Sequence, residues 1–212
     1  MFGTHDLALF IISGLLLNMV PGPDSLLIMT RSATQGWRAG SSAALGIGTG
    51  TLVHIFAAAL GLSAILATSA TAFMIVKLAG AAYLLYVGVQ LLFSKAKASS
   101  SGTPEKALMP LSYRKIFLQG FMTNVLNPKV AVFFLAFVPQ FISPDAGSKP
   151  LAFILLGFIF NFNGMLWCHL LAVSTAVASH KIKINTGLVA WLNRLIGGVF
   201  VSFGIKLALS KQ

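Results

Sequence analysis

The chain has 212 residues, 57% of them hydrophobic and 9% charged, with 15 Lys and Arg against 4 Asp and Glu and a net charge of +11. Soluble domains average about 45–50% apolar and about 25% charged residues, so the composition excludes an ordinary soluble domain, a disordered tail and a disulfide-stapled module. Most of the basic residues lie between long apolar runs, which points to membrane topology and away from nucleic acid.

A bilayer core of about 30 Å needs roughly 20 apolar residues per helix. Six runs meet that need: Leu7–Met29, Ala43–Leu66, Ala72–Phe93, Ile116–Ile142, Leu151–Ala176 and Val189–Leu209. The first lacks the Lys/Arg-rich start of a signal peptide and is read as a retained helix. Pro21-Gly22-Pro23 interrupts it, because proline removes a backbone donor and clashes with the preceding turn. Pro128 is expected to kink the fourth run and push Asn127 out of helical geometry. The single cysteine, Cys168, lies in the fifth run and is expected to be a small core residue. These spans leave no room for a separate soluble domain. The expected fold is an all-α integral membrane protein of six transmembrane helices, one transport domain over residues 1–212.

Cytoplasmic loops of membrane proteins are enriched in Lys and Arg. One side of the predicted topology collects Arg31, Arg38, Lys95, Lys97, Lys106, Arg114, Lys115, Lys181, Lys183 and Arg194; the other collects Lys149, Lys206 and Lys211. This asymmetry puts both termini outside. Lys77 and Lys206, near helix ends, and Arg194 are expected to snorkel to the interface. The polar stretch with Ser99-Ser100-Ser101-Gly102-Thr103-Pro104 reads as a flexible linker. Residues 95–115 form that cytoplasmic linker, which divides the chain into 1–94 and 116–212.

The two parts echo each other. Lys77-Leu78-Ala79-Gly80 with Tyr83, Tyr86, Gly88 and Leu91 parallels Arg194-Leu195-Ile196-Gly197 with Phe200, Phe203, Gly204 and Leu207. Asn18-Met19-Val20-Pro21-Gly22-Pro23 parallels Asn124-Val125-Leu126-Asn127-Pro128-Lys129, and His54 and His169 each lie alone in an apolar run. A three-helix repeat enters the membrane from opposite faces, so the pattern implies two inverted repeats, as in secondary transporters.

Paired breaks at matching places in two halves point to a binding site near the membrane midplane. Freed N–H groups at a half-helix start can hold a carboxylate, and freed carbonyls an ammonium or a cation. Asp24 and Lys129 follow the two breaks directly, and intramembrane charges are costly and face a cavity or a partner. The candidate substrate-binding residues are Asn18, Pro21, Gly22, Pro23, Asp24, Asn124, Asn127, Pro128 and Lys129. Lys129 suits a substrate carboxylate; Asp24 suits its amino group or a coupling proton. The alternative for this pair is a structural ion pair. Asp24, His54 and His169 are the proton-coupling candidates, with a hydrogen-bonded structural role the alternative for the histidines. Asn161 and Asn163, with Gly157 and Gly164, line a cavity or join helices. Gly46, Gly48 and Gly50 form a small-residue face that serves packing within one chain or a homodimer.

No P-loop, metal cluster, carboxylate cage or catalytic Ser/His/Asp set is visible, so neither a cofactor, a bound metal nor enzyme activity is expected. The competing readings are a metal or inorganic-ion transporter, a membrane-embedded enzyme acting on lipid, and a non-transporting scaffold. Sparse carboxylates and thiols, the missing catalytic cluster and the buried charges count against them in turn.

Several segments resemble one family. Pro21-Gly22-Pro23-Asp24-Ser25-Leu26-Leu27, then Arg31 and Gly36-Trp37-Arg38-Ala39-Gly40, look like the signature of the LysE/RhtB amino-acid exporters, and more closely their homoserine/threonine-type branch. Ala43–Gly50 with His54, Lys77–Leu84, Phe121–Lys129 and Trp191-Leu192-Asn193-Arg194 with Gly197 are similar to later family segments. The resemblance spans the whole length. It implies a bacterial inner-membrane exporter of small amino acids or their derivatives, driven by the proton gradient, with protons and the bilayer as its other partners.

Overall fold

The computed structural model describes residues 2–64, 69–93, 110–178 and 186–209. Apart from one isolated bridge between Thr4 and Ile142, the described residues carry no β-structure. In chain order the helices are α1 (Leu7–Met19), α2 (Pro23–Gln35), α3 (Trp37–Ala57), α4 (Ala70–Phe93), α5 (Tyr113–Val125), α6 (Pro128–Val132), α7 (Lys149–Ala178) and α8 (Thr186–Leu209). A π-helical turn, Ala58–Leu62, prolongs α3; a second, Phe133–Phe137, and a 3₁₀ turn, Val138–Phe141, prolong α6.

By length and hydropathy, Trp37–Leu62 and Lys149–Ala178 can each cross a membrane. Two bent pairs bring the total to four if each is one span: α1 with α2, bent by 56°, and α5 with Pro128–Phe141, bent by 47°. Shorter apolar stretches, Lys77–Phe93 and Gly197–Leu209, lie in α4 and α8. The chain is thus an all-helical, multi-pass membrane protein. Its outward residues fit a lipid surround: Phe158, Phe162, Leu166, Leu170 and Val173 of α7 are all exposed.

Several sequence expectations change. The first run continues as helix to Gln35, and α3 begins at Trp37, leaving only Gly36 between them. Gly36 has φ 81°, the left-handed region that glycine enters without a Cβ penalty, so one residue suffices for the turn. Arg31 is therefore a helical residue, 6% exposed, and not a loop charge. Arg38 sits in the first turn of α3, 5.5 Å from the centre of the Trp37 ring. Pro128 breaks its span outright, where a kink was expected. Tyr113, Arg114 and Lys115, assigned to the linker, open α5. Lys77 does not snorkel: it is 4% exposed, because residues 77, 80, 81 and 84 share the face of α4 turned inward. The linker stretch 94–109, with Lys95, Lys97 and Lys106, lies outside the described residues, as do Lys181, Lys183, Lys211 and the side chain of Lys206. Arg194 is exposed, as a snorkelling residue requires.

Glycines set two close helix crossings. A Cβ on Gly46 would run into the Phe117 carbonyl, and one on Gly120 into that of Ala43, so α3 and α5 touch backbone to backbone. In the α4–α8 pair the contact is reciprocal. A Cβ on Gly88 would lie 2.9 Å from the Gly197 carbonyl, and one on Gly197 would lie 2.7 Å from that of Gly88. Small residues permit such approaches in a bilayer, where packing drives association in place of the hydrophobic effect.

Hydrogen bonds sort the connections into two ends. At one end the His5 amide donates to the Phe141 carbonyl at 3.1 Å and the Ser143 amide to Gly3 at 2.8 Å. At the other, Gln35 exchanges two bonds with the Leu111 backbone and Ser42 donates to the Tyr113 carbonyl. The N-terminus and the α6–α7 connection therefore share one end. The α2–α3 turn and the start of α5 share the opposite one.

Candidate functional site

Two apolar clusters fill the interior, and a polar layer separates them. The cluster nearer the N-terminal end includes Leu17, Val20, Ile55, Val130, Phe133 and Phe160. The other includes Ile28, Ile47, Ile116 and Ala172. Four spans pass from one to the other across polar residues: Asp24, Thr51, Asn124 with Asn127, and Asn161. Asp24, Thr51, Asn124 and Asn127 are buried, and buried polar groups persist only where they are hydrogen-bonded or face a polar cavity.

The two breaks build this layer in the same way. Gly22 caps α2 and Asn127 caps α6; a proline holds the first helical position of each, and Asp24 or Lys129 follows. Proline suits that position because its missing N–H would be unpaired anyway. The Asn127 side chain accepts from the Lys129 amide at 3.0 Å, whereas Gly22 offers no side-chain cap. A Cβ on Gly22 would lie 3.4 Å from the Lys129 ammonium, so the bare glycine leaves room for that charge.

Each charge is held by the opposite break. Asn124 and Asn127 donate to the same oxygen of Asp24, Oδ2, at 2.9 and 3.0 Å. The Lys129 ammonium donates to the carbonyls of Val20 and Leu17 at 3.1 and 3.3 Å, near the end of α1. The Val20 carbonyl comes free because the helix stops at Met19, while that of Leu17 also accepts the Val20 amide at 3.2 Å. Freed carbonyls hold a cation as expected, but the cation is the protein's own. Asp24 and Lys129 are more than 4 Å apart and form no direct ion pair.

A small cavity of about 30 Å³ opens beside them. Its polar lining residues are Asn18, Asp24, Ser25, Thr51, Lys129 and Asn161 and its apolar ones Ile47, Val130, Phe160 and Met165, with Gly164 and Cys168 completing it. Two buried side-chain atoms here lack a partner: Asp24 Oδ1 and Asn18 Nδ2. Lys129 uses two of its three ammonium donors. A water needs roughly 10–15 Å³ by this measure, so the space holds about two waters and no amino acid; the site is closed. Toward the N-terminal end it is closed by aromatic rings, with Phe133 stacked on Phe160 at 4.3 Å and on Phe137 at 5.1 Å. Toward the other end Arg31 donates to the side-chain Oε1 of Gln119 at 2.9 Å, tying α2 to α5 two turns below Asp24.

The structure brings Asn18, Gly22, Asp24, Asn124, Asn127 and Lys129 together. Pro21, Pro23 and Pro128 are exposed and shape the breaks without lining the cavity. His54 joins the network at one remove: its Nε2 donates to the Asn124 carbonyl at 3.0 Å, with its ring stacked on Phe134. Thr51 donates to Asn124 Oδ1 at 3.2 Å. His169 bonds its own helix at the Met165 carbonyl and does not line the cavity. Gly157 packs against Ile55, and Asn163 is not among the lining residues. Sequence reasoning passed over Ser25, Ile47, Thr51, Phe160 and Met165, and it took Cys168 for plain core. Residues 161, 164, 165 and 168 recur at helical spacing on one face of α7; the sequence reading named Asn161 and Gly164 of this face, together with Asn163 and Gly157, which do not line the cavity. Among the described residues no group of three or more His, Cys, Asp or Glu converges as a metal site.

A multi-pass helical protein with a charged, closed cavity between broken helices has the anatomy of a secondary transporter. The family description LysE type translocator matches residues 15–211, and the chain belongs to that family of transporters; it is not an enzyme. The chain is 33% identical over 211 residues to an uncharacterized membrane protein, YrhP, of Bacillus subtilis (strain 168), covering 97% of this chain and 100% of that one. It is 28% identical over 207 residues to the leucine efflux protein of Salmonella choleraesuis (strain SC-B67), covering 98% and 96%. The same figures hold for the leucine efflux protein of Salmonella typhimurium (strain LT2). No solved structure matches the chain.

Proposed function

We propose that this chain exports small neutral amino acids across the bacterial inner membrane, coupled to protons. The observation that carries the reading is the set of unused bonds around one cavity. Asp24 Oδ1 accepts, while Asn18 Nδ2 and the third ammonium donor of Lys129 donate. A zwitterion supplies the complement: its ammonium for Asp24, its carboxylate for Lys129 and Asn18. The leucine efflux relatives support an amino acid as cargo and export as the direction. Asp24 exchanges the coupling proton for the substrate ammonium, and His54, bonded to the Asn124 backbone carbonyl, positions the residue that holds Asp24. His169 has no part in this reading.

The transport domain comprises residues 1–212 as six spans in two inverted repeats, 1–94 and 116–212, with both termini outside. Support comes from the matched cap, proline and charge of the two breaks and from the reciprocal Gly88–Gly197 contact. These two glycines belong to the echoed segments of the third and sixth spans, and helices related by a pseudo-two-fold axis meet in that reciprocal way.

The test is flux in proteoliposomes of the purified chain with an imposed pH gradient, using labelled leucine, threonine and alanine. Gradient-dependent flux in wild type, lost in Asp24→Asn and Lys129→Ala with normal insertion, is expected. Flux that survives both substitutions would remove this site from the reading. No amino-acid flux with active controls would overturn the reading and turn the search to inorganic ions.

A further inference from the structure

The cavity lining is part polar and part apolar. Among the described residues that line it, Asp24 and Lys129 are the only acidic and basic side chains, and a zwitterion's own groups occupy both. The side chain of the cargo then meets the remaining lining, where Ile47, Phe160 and Met165 offer hydrocarbon and a thioether. No charge remains there for a cationic or anionic side chain.

One part of this lining is a flexible side chain seated over a glycine. The Met165 sulfur lies over Gly48 of α3 so closely that a Cβ on Gly48 would run into it. The thioether therefore occupies the place that any other residue at 48 would fill. Phe160 is fixed by stacking on Phe133, whereas Met165 is unbranched, rotates about three bonds and adapts to irregular space. At about 30 Å³ the cavity admits no aliphatic side chain until a wall withdraws, and Met165 is the lining side chain whose unbranched thioether can rotate to make room.

We infer that Met165, seated over Gly48, is the size-determining wall of the substrate side-chain subsite, and that this subsite takes an aliphatic, uncharged side chain. The inference rests on the amino-acid export reading above. A Cβ at 48 would press the thioether into the cavity and shrink the subsite, while truncation of Met165 would enlarge it.

The experiment is flux in proteoliposomes of the full chain, comparing kcat/KM for labelled alanine, leucine and phenylalanine. Gly48→Ala is expected to lower the leucine-to-alanine ratio about tenfold, the scale of one methylene in an apolar pocket. Met165→Ala is expected to raise the phenylalanine-to-leucine ratio by a similar factor. In the double variant Gly48→Ala/Met165→Ala the leucine-to-alanine ratio returns toward wild type, since the added methyl no longer has a thioether to displace. A purely structural defect would lower all three substrates together. Ratios unchanged in both single variants, with flux retained, would overturn the inference and leave the exporter standing. If Gly48→Ala fails to insert, the Met165→Ala ratio alone decides. Wild type that moves none of the three would overturn both readings.

Discussion

Asn127 bonds Asp24 with one end of its amide and caps α6 with the other: Nδ2 donates to Asp24 Oδ2 at 3.0 Å while Oδ1 accepts from the Lys129 amide at 3.0 Å. One side chain thus fixes the start of the second broken helix and orients the acid of the first. The two tasks separate on substitution. Asn127→Ser keeps a capping oxygen but loses the reach to Asp24; Asn127→Ala loses both. Transport should fall in both variants. Thermal stability in detergent should fall mainly in Asn127→Ala, by about 1 kcal/mol, the usual worth of an N-cap. Equal stability of the two would show that the cap contributes nothing.

Lys129 satisfies two carbonyls of the α1 end and keeps one donor for the cavity. Lys129→Met removes all three at similar volume. Losing a charged hydrogen bond at a buried site costs about 2 kcal/mol or more, so kcat/KM should drop by at least about 30-fold. Steady-state flux in proteoliposomes reads this directly, and a drop of less than threefold would place the cargo elsewhere.

The Arg31–Gln119 bond joins α2 to α5 below the cavity, and Arg31 Nε has no partner. Gln119→Ala removes the side-chain bond between α2 and α5 at this end. The open-to-closed ratio should rise by about tenfold, from about 1.5 kcal/mol for a bond to a charged donor. Cys168 lines the cavity and is the chain's single cysteine, so its maleimide labelling rate reports the opening. Labelling should quicken in Gln119→Ala and slow when leucine is added. Unchanged labelling would mean that the bond does not close this end.

Glycine positions should differ sharply. Gly120→Ala drives a methyl into the Ala43 carbonyl and should cost about 1–3 kcal/mol of stability. Gly61→Ala, with nothing within 4 Å of its Cβ, should be neutral or slightly stabilising. Melting of both variants in one detergent makes the comparison; equal losses would contradict the close α3–α5 crossing.

The sequence by itself determined the class of protein, the breaks and the charges beside them. Hydropathy reports the solvent, proline acts on its own backbone, and a charge among apolar residues stands out in any single segment. It could not give the membership of the polar layer, because Thr51, Met165 and Cys168 are ordinary residues until four spans align at one level. It also misread Arg31 and Lys77, whose burial depends on which helix face meets a neighbour. Local chemistry decides where a helix stops. Only packing between distant spans decides which freed carbonyl meets which ammonium, and so Lys129 came to lie on Leu17 and Val20 with one donor left for the cavity.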